Sequence, residues 1–127
     1  PVGEAKLLFR SSEASWSQSQ DSAFGVGYHV ADRPWLHRTE AGALLLLWSS
    51  FRLGSYVTGL ARSASGGVTG PWIQAEEPFY PHDGGCAMTF RDFGGRNFLV
   101  LHAPNIVGKE RARLRLLKET ATGLELG

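Results

Sequence analysis

Hydrophobic and polar positions along this chain fall into short runs, broken by turn residues at intervals of roughly 8–12 positions. Runs of this length with period two read as half-buried strands. Residues 2–9 form the first, followed by a Ser- and Gln-rich stretch over 11–22 that reads as a surface loop. Residues 28–37 read as a strand whose Pro34 suits a strand start or a sheet edge. Residues 43–51 are continuously apolar through Leu44-Leu45-Leu46-Leu47-Trp48, which predicts a strand buried on both faces. Residues 56–64 and 72–79 complete one set of four strands. A second set is predicted over 85–91, 98–103, 111–118 and 123–126. In the third of these, Lys109, Arg111, Arg113 and Arg115 alternate with Ala112, Leu114 and Leu116, the pattern of a strand with one wet face.

The two sets are related by a repeat. Leu36-His37-Arg38-Thr39-Glu40-Ala41-Gly42 precedes the first long apolar strand, and Phe90-Arg91-Asp92-Phe93-Gly94-Gly95 precedes the second. Arg38 matches Arg91 and Gly42 matches Gly95 at one offset, 53 residues. Short strands repeated on this scale predict β-propeller blades. The expected fold is all-β: a partial propeller of about two and a half four-stranded antiparallel blades in a single domain, 1–127. Residues 1–27 are leading strands and loop, 28–80 the first full blade and 81–127 the second. A propeller carries its site in the central channel, where the innermost strands begin.

Composition narrows the chemistry. The chain has 127 residues with 13 basic and 12 acidic side chains, a net charge of +1. This balance predicts no nucleic-acid partner. One cysteine, Cys86, excludes an internal disulfide framework. No apolar run approaches the ~20 residues of a membrane-spanning helix, and no signal-peptide pattern is visible. No membrane partner and a cytoplasmic location are the expectations. The four tryptophans read mainly as wedge-filling core, with Trp35 the candidate for stacking on a substrate.

Several segments carry a resemblance. They are Lys6-Leu7-Leu8-Phe9-Arg10-Ser11-Ser12-Glu13-Ala14-Ser15-Trp16, Asp32-Arg33-Pro34-Trp35-Leu36-His37-Arg38-Thr39 and Leu46-Leu47-Trp48-Ser49-Ser50-Phe51. With them go Ala61-Arg62-Ser63-Ala64-Ser65-Gly66, Gly70-Pro71-Trp72, Asp83-Gly84-Gly85 and Leu101-His102-Ala103-Pro104-Asn105. In this order and spacing the chain resembles the C-terminal half of glycoside hydrolase family 43, five-bladed propellers that cleave arabinosyl and xylosyl linkages. The resemblance implies a truncated member without the N-terminal blades and the general-base aspartate they carry. It places the family's acid at Asp32, with Arg33 where the family has glycine. Cys86 stands where relatives usually have a histidine that organises the channel, often around a metal ion.

The polar residues expected at the channel mouth are His29, Asp32, His82, Asp83, Cys86 and His102, whereas His37 falls at the far end of its strand. Imidazole, thiolate and carboxylate together suit Zn²⁺. A bound zinc ion would supply a hydroxide nucleophile without a second carboxylate. The expected function is therefore a zinc-dependent hydrolase of small esters or phosphoesters. Asp32 is its catalytic residue, His29, His82, Cys86 and His102 its metal ligands, and Asp83 and Trp35 its substrate contacts. One alternative is a glycosidase whose second carboxylate comes from another copy of the chain, since glycoside cleavage uses two. Another is a non-catalytic, sugar-binding remnant. Unpaired blade edges call for cover, and a homodimer or higher homo-oligomer is the expected partner arrangement.

Overall fold

The structure, a computed structural model, describes residues 3–22 and 25–127. It is all-β, with ten strands in three antiparallel sheets among the described residues. A two-stranded ribbon joins β1 (Gln20–Ser22) to β2 (Gly25–Tyr28). The first four-stranded sheet runs in chain order through β3 (Asp32–Arg38), β4 (Leu44–Arg52), β5 (Ser55–Ser63) and β6 (Trp72–Gln74). The second runs through β7 (Gly85–Arg91), β8 (Asn97–Ala103), β9 (Arg111–Glu119) and β10 (Leu124–Leu126). Both are four-strand meanders, the unit from which a propeller is built. No described helix is long and apolar enough to cross a membrane.

The sequence repeat is a repeated turn. Thr39 N–H donates to Ala43 O, Gly42 N–H to Thr39 O and Ala43 N–H to Thr39 Oγ1. Fifty-three residues on, Asp92 N–H donates to Arg96 O, Gly95 N–H to Asp92 O and Arg96 N–H to Asp92 Oδ1. Gly42 and Gly95 take φ of 91° and 81°, which a side chain would resist. The matched arginines each donate to the carbonyl of the matched glycine, Arg38 to Gly42 and Arg91 to Gly95, both at 3.0 Å.

Alternation along β4 creates two cores. Leu45 and Leu47 face the second sheet and meet Leu99, Leu101 and Leu117, with Tyr80 and Ala87 between. Leu44, Leu46 and Trp48 face the other way, onto Trp16, Ala14, Leu8 and Phe9 of the leading segment. β4 is buried from Leu44 to Ser50, as its apolar run predicts. Gly59 is required here, because a Cβ would lie 2.3 Å from the Trp16 ring. Trp16, Trp48 and Trp72 are core residues, while Trp35 is 36% exposed.

Four expectations are corrected. Of the strand expected over 2–9, Val2 lies outside the described residues, and residues 3–9 join no ladder. Leu8 and Phe9 instead pack their side chains against the core that holds Trp48. Residues 28–37 are not one strand: β2 ends at Tyr28 and β3 starts at Asp32. Only Trp72–Gln74 of the span 72–79 pairs. In β9 the wet and apolar faces are not separated by burial, since Leu114 and Leu116 are 56% and 39% exposed beside the arginines. They share an open face with Met88, Phe90, Phe98 and Val100 of β7 and β8.

Candidate active site

Two inner strands, β3 and β7, lie side by side between the sheets. Each begins with a bulge. In β3, Asp32 pairs with Ser49 but the next pair is Trp35 with Leu47; in β7, Gly85 pairs with His102 but the next is Met88 with Val100. The bulged residues Arg33 and Cys86 take φ of 50° and 54°, the left-handed region. Bulges re-aim side chains near functional sites. The one in β3 puts Asp32 on the same face as Trp35, although they are three positions apart, and that face looks toward the second sheet.

Tyr56 joins the two bulges. It is buried at 4% exposure, yet its hydroxyl donates to Asp32 Oδ2 at 3.0 Å and lies 4.0 Å from Cys86 Sγ. Its ring stacks on His102 with centroids 5.7 Å apart and tilts against Phe51 at 5.1 Å. Burial, reinforced by the charges of Cys86 and Asp32, pushes the Tyr56 hydroxyl well above its ordinary value near 10. Tyr56 therefore stays a neutral donor to Asp32. Ser49 Oγ accepts the Cys86 N–H at 3.1 Å and ties the second bulge to β4. Gly85 makes room for this arrangement, since a Cβ there would stand 2.2 Å from the Tyr56 ring and 2.8 Å from Ser49 Oγ.

Asp32, Cys86 and His102 are thus brought together, with Tyr56 at their centre. His102 also meets Asn105 Oδ1 through Nε2 at 2.8 Å. Asp83 sits beside them in a holding role: its two oxygens accept the backbone N–H groups of Tyr56 and Asn105 at 3.3 and 3.1 Å. His29 is engaged elsewhere, with Nδ1 3.2 Å from Ser17 Oγ, which in turn meets Ser50. His82 turns edge-on to Tyr80. Among the described residues no three of His, Cys, Asp or Glu gather as a metal-ligand group. The expected ligands His29, His82, Cys86 and His102 do not gather into such a group: Ser17 engages His29, and His82 packs edge-on to Tyr80.

At the far end of the same strands lies a second polar network. Trp35 Nε1 donates to Thr89 Oγ1 at 3.0 Å, and Thr89 Oγ1 lies 2.8 Å from His37 Nδ1. His37 Nε2 meets Glu119 Oε1 at 3.0 Å. Since the Glu119 carboxylate accepts, the assignment places N–H on Nε2, donating to Glu119, and lets the Thr89 hydroxyl donate to Nδ1 while accepting from Trp35. Trp35 and His37 therefore fasten β3 to the second sheet. Sequence reasoning missed Tyr56 and Ser49, which looked like ordinary positions of buried strands. The only signals were a Tyr two residues after Gly54 and a Ser pair closing an apolar run.

No family model matches the sequence, and no curated protein matches it. Solved structures do. An endo-arabinase from Bacteroides thetaiotaomicron is 42% identical, with a TM-score of 0.89 over 95% of this chain and 43% of its own. The resemblance to glycoside hydrolase family 43 holds. A thermostable family-43 glycoside hydrolase shares the fold at 21% identity and a TM-score of 0.65, covering 85% of this chain and 39% of that one. An alpha-L-arabinofuranosidase from Lactobacillus brevis does so at 18% and 0.56, covering 76% of this chain and 36% of its own. The chain spans about two-fifths of the length of these structures. The partial propeller of the family-43 kind stands. The zinc-dependent ester hydrolase does not: the similar structures are named for glycoside chemistry, and the expected ligands are dispersed.

Proposed function

We propose that this chain is part of a glycoside hydrolase acting on arabinosyl linkages, with Asp32 as one of its two carboxylates. The observation that carries the reading is the fixed placement of Asp32. It opens the inner strand β3, accepts from the Tyr56 hydroxyl at Oδ2, lies 3.5 Å from Arg33 Nε through Oδ1, and keeps its side chain 47% exposed. Similarity to an endo-arabinase over 95% of the chain supports the substrate class. Glycoside cleavage needs an acid on the leaving oxygen and a second carboxylate as base or nucleophile. Asp32 takes the acid role by the family resemblance. Asp83 is not the second group, because both its oxygens hold backbone amides. The second carboxylate is not among the described groups that meet Asp32, which are Tyr56 and Arg33.

The test is reducing-sugar release from linear arabinan by the native protein and by Asp32→Asn. Asp32→Asn should lower the rate by about 10²–10⁴-fold, the usual worth of a general acid. An unchanged rate would overturn the proposal.

A further inference from the structure

Away from Asp32, the connection through Tyr80 and His82 crosses the ends of β8 and β9 and encloses a groove of about 550 Å³. Its walls are Tyr80, His82, Pro104, Arg113 and Arg115. The volume falls within the ~300–1,000 Å³ of small-ligand sites. Arg113 and Arg115 are two residues apart on one face of β9, so their Cα atoms stand about 7 Å apart. Their register partners Leu101 and Leu99 are core residues. The arginines therefore lie on the face turned toward the first sheet. They remain exposed because the outer strand of that sheet, β6, is only three residues long. Neither guanidinium has an ion-pair or hydrogen-bond partner among the described residues. The other exposed arginines at strand ends and turns do: Arg91 meets Glu40, Arg96 meets Asp92 and Arg52 meets Glu77.

We infer that this groove is an anion-binding site for the carboxylates of an acidic oligosaccharide, one carboxylate on each guanidinium. A planar guanidinium presents paired donors that match a carboxylate. Two such forks at this spacing suit a ligand with two carboxylates on neighbouring units. The exposed His82 ring offers a further donor at the rim. The choice of a glycan among anions rests on the function proposed above. The site would hold uronate units of the glycan while Asp32 works elsewhere on it.

Calorimetric titration of the Asp32→Asn protein with digalacturonate, a neutral arabinose disaccharide and inorganic phosphate tests this without any hydrolysis. Digalacturonate should bind, and the neutral disaccharide should not. Arg113→Ala and Arg115→Ala should each weaken binding by about tenfold or more. Arg113→Lys, which keeps the charge and loses the fork, should fall between. Unchanged binding in the double alanine variant, with folding confirmed by circular dichroism, overturns the site. Equal affinity for phosphate overturns the glycan assignment. Arabinan hydrolysis is scored separately on the native chain, so an inactive protein that still binds digalacturonate through both arginines overturns only the function proposed above.

Discussion

Tyr56 donates its hydroxyl to Asp32 at 3.0 Å from a strand that sequence reading assigns to the core. That bond sets the direction of the one carboxylate that opens an inner strand. Tyr56 is a positioning residue, acting on substrate only through Asp32. Tyr56→Phe keeps the ring stack on His102 and removes only the donor. Hydrogen bonds to charged groups are worth about 1.5–3 kcal/mol. The expected result on arabinan is a roughly tenfold or greater fall in kcat with KM little changed. A change confined to KM would assign Tyr56 to substrate binding instead.

The same hydroxyl gives a pH signature. Its folded-state pKa is raised above the unfolded value near 10, chiefly by burial. Stability from this group is complete below pH ~10 and is lost as pH rises toward the folded value, because only the unfolded chain then releases the proton. Urea midpoints should fall between pH 9 and 11 in the native chain, and less steeply in Tyr56→Phe. Parallel slopes in the two proteins would show that another group governs alkaline unfolding.

Asp92 predicts the opposite limb. The backbone N–H of Arg96, aided by the Arg96 side chain, holds its carboxyl below the ordinary range. The contribution is present above pH ~4 and disappears as pH falls through the depressed folded value. The stability difference between the native chain and Asp92→Asn should therefore shrink from pH 7 to pH 3. A difference that stays constant would mean the turn depends on shape and not on charge.

Glu119 ties the sheets at the far end. Its Oε1 faces His37 Nε2 and Asn97 Nδ2, and its Oε2 accepts the Glu40 N–H at 2.7 Å. Glu119→Ala leaves three donors without this acceptor and should cost about 2–3 kcal/mol of unfolding free energy. Glu119→Gln keeps part of the network and should cost less. Chemical denaturation of both variants measures this directly.

Gly85→Ala addresses the packing that seats the site. A methyl group there would overlap the Tyr56 ring and Ser49 Oγ. Overpacking of this kind costs about 1–3 kcal/mol. The added consequence here is displacement of Tyr56 from Asp32, so arabinan activity should drop together with stability. Full activity in a destabilised Gly85→Ala protein would separate the ring position from catalysis.

The repeat was legible because turns announce themselves in single residues. Gly42 and Gly95 must reach positive φ, and Arg38 and Arg91 close the same carbonyl. The β4 run was legible because burial on both faces leaves no room for polar residues. The site was only half legible. Asp32, Cys86 and His102 were expected together and do meet, but through Tyr56, whose period-two context hides its hydroxyl among core positions. The four expected metal ligands do not gather among the described residues, because spacing along a chain does not report how a bulge or a left-handed residue turns a side chain. Residues 3–9 have strand composition without a ladder; Leu8 and Phe9 find their partners through side chains on the core that holds Trp48.

The contrast between β4 and β8 has a further consequence. One central strand is buried on both sides, whereas the other keeps Phe98 and Val100 beneath an open apolar face shared with Met88 and Leu114. The molecule therefore has a direction, like a stack of plates with a glazed bottom and an unglazed top. Among the described residues, that open face of the second sheet is an apolar seat on which another sheet could lie.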